Sequence, residues 1–122
     1  MKNKGRKISS FTQLKTWQKG HALVLEIYKL SKKFPKEEIY GLTSQIRRSA
    51  ISITSNIAEG FGRKGRKEKV QFYHQALGSL GEFKNQLLIV KDIGYLKLNK
   101  KIVDLSNETE YLLRALINAS KR

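Results

Sequence analysis

A single proline, Pro35, interrupts 122 residues in which apolar side chains return every three or four positions. That period gathers them on one face of an α-helix, and no segment alternates with the two-residue period of a strand. Leu14, Trp17, His21, Val24 and Tyr28 form one such stripe, and Leu23, Ile27 and Leu30 a second beside it. Proline disfavours helical backbone in the residue before it, so this first helix is expected to end near Phe34. A second helix follows Gly41, with Leu42, Ile46, Ser49, Ile53, Ile57 and Gly60 on one face. Its small residues, Ser49, Ala50 and Gly60, would let a neighbouring helix approach closely.

The third helix spans about residues 66–93, with Val70, Tyr73, Leu77, Leu80 and Leu87 on one seam and Phe72, Ala76, Ser79, Phe83 and Val90 on another. Gly78 and Gly81 each weaken a helix interior by about 1 kcal/mol relative to alanine, which predicts close packing there to offset the cost. Gly94 is placed to end the helix in a left-handed cap. A fourth helix over about residues 99–120 carries Ile102, Leu105, Thr109, Leu112, Leu116 and Ala119, widened by Leu113 and Ile117.

Four amphipathic helices on short loops predict an all-α, up-down-up-down antiparallel four-helix bundle over residues 11–120, after a flexible basic tail at 1–10. A chain of 122 residues buries one core. The second stripes on helices one and three exceed what a narrow bundle needs, and are expected to meet another subunit. No apolar run approaches membrane-spanning length, and the N-terminus lacks the apolar stretch of a signal peptide, so a cytoplasmic protein is expected. With no cysteine and two histidines, His21 and His74, disulfides, thiolate chemistry and cysteine-type zinc sites are excluded, and no cofactor is expected. His21, on the apolar seam with Trp17, is expected to be a core residue.

Twenty-five Lys and Arg against ten Asp and Glu give a net charge of +15. Such a surplus attracts polyanions, of which nucleic acid is the usual one in a cell, with affinity from phosphate neutralisation and counterion release. The most informative segment is QIRRSAISITSNIAEGFGRKGRK, residues 45–67. Its Gly60-Phe61-Gly62-Arg63-Lys64-Gly65 has the G-x-G-x-x-G spacing of dinucleotide sites, but that loop works only between a strand and a helix, and here a helix precedes it. What remains is a helix entrance whose free amides favour an anion, ringed by Arg63, Lys64, Arg66 and Lys67. Gly65 is a weak cap for that entrance, with Glu68 able to reach back in a partial capping box. Arg47 and Arg48 point about 100° apart on a helix, so one of them is expected to pair with an acid such as Glu59 or Glu82. Asn56 and Glu59 are expected to hold helix register, as buried polar groups do when satisfied.

Catalytic patterns are missing. A di-iron bundle needs Glu-x-x-His pairs, whereas Gln71 precedes His74 and Gln18 precedes His21 by three residues. Gly78-Ser79-Leu80-Gly81 is not a nucleophile elbow, and the acids are too scattered for a metal nuclease.

FTQLKTWQKGHALVLEIY, FPKEEIYGLTSQIRRSAISITSNIAEGFGR and FYHQALGSLGEFKNQLLIVKDIGYL, in that order, resemble the 23S rRNA intervening-sequence proteins over about residues 11–117. The resemblance implies a four-helix protomer assembled as a homopentameric barrel. A more distant likeness, to the accessory variability protein of diversity-generating retroelements, implies binding of nucleic acid and of a reverse transcriptase. Arg47, Arg48, Asn56, Glu59, Gly60 and Arg63 fall on the family's motif positions, as do Gly78, Ser79 and Glu82. Gly20 and Thr54 depart from it, standing where alanine and proline are common, and Gly65 stands where serine often precedes the third helix.

Together these features predict a non-enzymatic, oligomeric accessory protein that binds nucleic-acid backbone. The binding residues are expected to be Lys2, Lys4, Arg6 and Lys7 of the tail, Arg48, and the loop cations Arg63, Lys64, Arg66 and Lys67. Arg47, Asn56, Glu59, Gly60, Gly78, Ser79 and Glu82 are expected to serve structure or subunit contacts. The competing expectation is a scaffold for an acidic protein.

Overall fold

The computed structural model describes residues 7–122. Four helices, α1 (Lys15–Ser31), α2 (Leu42–Phe61), α3 (Arg66–Asp92) and α4 (Lys100–Ser120), run up, down, up and down. Each packs on its sequence neighbours and α1 closes on α4, so the diagonal pairs face each other across one core. Among the described residues there is no strand, and no helix is long and apolar enough to cross a membrane.

Local chemistry sets the helix ends. Helix α1 stops three residues short of Phe34, because Lys33 and Phe34 close tight turns onto Leu30 and Ser31 and Phe34 turns into the core beside Tyr95. Helix α2 has no side-chain cap from Gly41; instead Glu38, four residues ahead, accepts from the Leu42 amide at 3.2 Å and from the Tyr95 hydroxyl at 2.8 Å. Gly41 makes this possible, since a Cβ there would lie 2.7 Å from the Glu38 Oε1. The accepted bond and the nearby carboxylate push the Tyr95 phenol above its usual range. Helix α3 ends as expected on Gly94, at φ 90°: the Tyr95 amide reaches the Val90 carbonyl and the Gly94 amide that of Lys91, the two bonds of a Schellman cap. Asn99 caps α4 by accepting from the Ile102 amide at 2.8 Å.

The core corrects the reading of the double stripes. Leu23 and Ile27 of α1, and Ala76, Phe83 and Val90 of α3, have no exposed area. The second stripes, expected to meet another subunit, therefore fill the protomer's own interior, while the first stripe of α1 runs along its edge with His21 and Tyr28 exposed. His21 is exposed and stacks on Trp17 at 4.6 Å, so it is a surface residue and not a core one. The outward apolar residues lie elsewhere. Tyr28, Ile39, Tyr40 and Ile51 line a groove on the α1–α2 side, and Leu88 and Val103 line a shallower one on the α3–α4 side.

At Gly60, α2 and α3 approach closely: a Cβ would meet Tyr73 at 2.7 Å and Phe72 at 3.1 Å. Gly78 and Gly81 behave differently. Both are exposed, with nothing within 4 Å of an added Cβ, so no packing inside the protomer offsets their helix cost. Gly20 and Thr54, two of the departures from the family pattern, face each other, with the Thr54 methyl 3.1 Å from the position of a Cβ on residue 20.

Candidate nucleic-acid interface

Antiparallel topology brings the start of α1, the end of α2, the start of α3 and the end of α4 to one end of the bundle. Residues 7–14 and the loop after α2, far apart in sequence, therefore lie at the same end. The chain enters through a single 3-10 turn, Phe11–Gln13, capped by Ser10 and Gln13 in a full capping box and packed on α1 and α2. Phe11 meets Trp17 edge-on at 5.4 Å, which holds the entry against α1. Lys7 is exposed just before it, while Lys2, Lys4 and Arg6 lie outside the described residues.

Between residues 59 and 69, five cations stand against two carboxylates. Their roles separate by geometry. Arg63 pairs with Glu59 at 2.6 Å and lies over the Phe72 ring at 4.8 Å, so it fixes the end of α2 against α3. Lys69 reaches back to the Phe61 and Gly60 carbonyls at 2.7 and 3.3 Å, placing a positive charge on the negative end of the α2 dipole. Lys64, Arg66 and Lys67 are exposed and form no ion pair among the described residues. They surround the first turn of α3, whose cap, Gly65, offers no side-chain acceptor. Glu68 lies beside Gly65 but makes no hydrogen bond back to it, so the anticipated partial capping box does not form. The loop's G-x-G-x-x-G spacing falls between two helices, which removes any dinucleotide reading.

The other motif residues assemble along the α2–α3 seam. Arg48 is exposed and pairs with Glu82 at 3.1 Å. Glu82 also accepts from Gln86, whose carbonyl oxygen lies 2.6 Å from the buried Ser49 hydroxyl. One turn on, Ser52 and Ser79 share a 2.8 Å hydrogen bond across the seam. Asn56 donates only within α2, to the Ser52 carbonyl at 2.9 Å, and Glu59 is exposed, so neither is the buried register-holding group expected from the sequence. Arg47 instead turns to α1, donating to the Ser31 hydroxyl at 2.8 Å with its guanidinium over Tyr28 at 4.5 Å. Gly60 sits in this seam, whereas Gly78 looks out of it. A short-residue, hydrogen-bonded seam of this kind fixes helix register.

Sequence reasoning missed Lys69, and it missed a group on the α3–α4 side of the same end: His74, Arg114, Asn118 and Lys121 rim a cleft floored by Leu77 and Ile117. Its one sequence signal was the spacing of Arg114, Asn118 and Lys121 on one face of α4. Among the described residues no three His, Asp or Glu side chains gather as metal ligands.

The fold and this end define a basic four-helix-bundle protein with a net-cationic entrance to α3. Residues 12–118 match the 23S rRNA-intervening sequence proteins, and the chain belongs to that family. Among solved structures it is similar to a protein of unknown function from the S23 ribosomal protein family of Bacteroides thetaiotaomicron. The two share 24% identity and a TM-score of 0.76, over 84% of this chain and 95% of the other, a likeness of fold. None of the curated proteins matches the chain.

Proposed function

We propose that this protein is a non-enzymatic, oligomeric accessory factor that binds the phosphate backbone of nucleic acid through the cationic end of its bundle. One observation carries the reading: Lys64, Arg66 and Lys67 surround the first turn of α3 with no ion-pair partner among the described residues. Elsewhere in the loop Arg63 and Lys69 are spent on the fold, so these three are the charges left for a ligand. Lys7 adds its charge at the same end, and cytoplasmic nucleic acid is the matching polyanion.

Assembly belongs to the same proposal. The apolar groove on the α1–α2 side and the patch on the α3–α4 side lie on opposite faces, and two different faces meeting head to tail form a ring where the rotation between protomers closes. A pentamer is the number the family resemblance implies. Repetition of a weak phosphate site around a ring raises avidity through effective concentration. A reverse transcriptase or another protein would dock as a further partner of that ring.

The test is fluorescence anisotropy with a labelled duplex at fixed salt, comparing wild type with a Lys64→Ala/Arg66→Ala/Lys67→Ala variant. Counterion release makes each lost contact worth roughly eightfold in affinity at 0.1 M salt relative to 1 M. The triple variant should therefore bind at least tenfold more weakly while remaining folded. Equal binding by both proteins would remove the loop from the interface.

A further inference from the structure

We infer that the cleft between α3 and α4 at the cationic end takes an unpaired base of single-stranded nucleic acid, giving this protein a preference for single strands over duplex. The inference rests on the nucleic-acid reading above and specifies what that end selects. The cleft is open to solvent and offers about 190 Å³, below the range of drug-sized ligand pockets and suited to one heterocycle.

Its lining divides by chemistry. Ile117 is 3% exposed and Leu77 is half-buried, so together they make an apolar floor. The rim is exposed and polar: His74 on α3, with Arg114, Asn118 and Lys121 on α4. An imidazole offers a face for base stacking and a carboxamide offers both donor and acceptor to a base edge. Arg114 and Lys121 supply charge for the flanking phosphates. Arg114 shares Glu110 with Lys84, so these three side chains retain one net positive charge.

The cleft also continues the loop site. Lys67 and His74 are seven residues apart on the same exposed face of α3, a rise of about 10 Å. A strand whose backbone crosses Lys64, Arg66 and Lys67 would thus reach the cleft within a few nucleotides. A base can enter the floor only when it is unpaired and splayed from its neighbours, which a duplex resists. The loop alone contacts backbone and accepts either form.

The experiment measures binding of a 12-nucleotide single strand and of a duplex of equal length to wild type, to His74→Ala/Asn118→Ala, and to the loop triple variant. Both cleft positions are exposed and helical, and circular dichroism checks that the variant folds. The cleft variant is expected to lose about tenfold in single-strand affinity, the worth of one stacked base, with duplex affinity unchanged. The loop variant is expected to lose affinity for both. A cleft variant that weakens both forms equally, or neither, while the loop variant weakens both, overturns the inference and leaves the backbone reading standing. Wild type that binds neither form overturns both. A polyglutamate peptide that displaces the single strand from wild type but not from the cleft variant would assign the cleft to an acidic protein instead.

Discussion

Two glycines in motif positions give opposite expectations for the same substitution. Gly60→Ala places a methyl 2.7 and 2.9 Å from two ring carbons of Tyr73 and 3.1 Å from the Phe72 Cβ. The Tyr73 ring is 2% exposed and hemmed in by the core, and the Phe72 Cβ is fixed to the α3 backbone, so neither can yield cheaply. Overpacking of this kind costs about 1–3 kcal/mol, and the gain in helix propensity returns about 1 kcal/mol, leaving a net loss of up to about 2 kcal/mol. Gly78→Ala meets nothing within 4 Å, so only the propensity gain of about 1 kcal/mol remains. Urea denaturation monitored by circular dichroism reads both variants, with midpoints moving in opposite directions and slopes unchanged. A Gly60→Ala protein stabilised as much as Gly78→Ala would refute the close α2–α3 approach. A destabilised Gly78→Ala protein would show that another protomer covers that face.

Glu110 links α3 to α4, and the Lys84 ammonium, with Arg114 beside it, holds its carboxyl below the usual carboxylate range. A depressed folded pKa contributes stability above the ordinary carboxylate value, and that contribution disappears as pH falls through the folded pKa. Glu110→Gln should flatten the acid limb of a stability–pH profile and cost no more than about 1 kcal/mol at neutral pH, because the cluster is partly exposed. Gly20 and Thr54 should couple: Gly20→Ala in the presence of Thr54→Ala is expected to be more favourable than in its absence, measured by a double-mutant cycle in urea. Ser49→Ala strips the buried partner from the Gln86 carbonyl oxygen and should cost about 1–3 kcal/mol, read from the same unfolding curves.

Helix count, order and ends were legible because the relevant signals are local. Pro35, Gly41, Gly94 and Asn99 act within a turn of where they stand, and the apolar period names the buried faces. Surface and core were less legible on α1 and α3, where two stripes run side by side. Only packing against the other helices reveals that Leu23, Ile27 and Phe83 fill one interior while His21 faces water. Glu38 and Lys69 were missed for a different reason: they cap helices through contacts four to nine residues away that no motif encodes. Part of the cationic end was visible as a basic run. The cleft beside it was not, because antiparallel packing joins His74 of α3 to residues some forty positions later in α4.

Salt dependence tests the account most directly. In a titration of wild type with a labelled oligonucleotide between 50 and 200 mM salt, log affinity should fall linearly with log salt, at about 0.9 per phosphate contact on duplex. Substituting Lys64, Arg66 and Lys67 should lower that slope by up to about 3 for each protomer engaged. A slope that is unchanged in the triple variant, or the absence of binding at moderate salt, would contradict a phosphate-binding role for this end of the bundle.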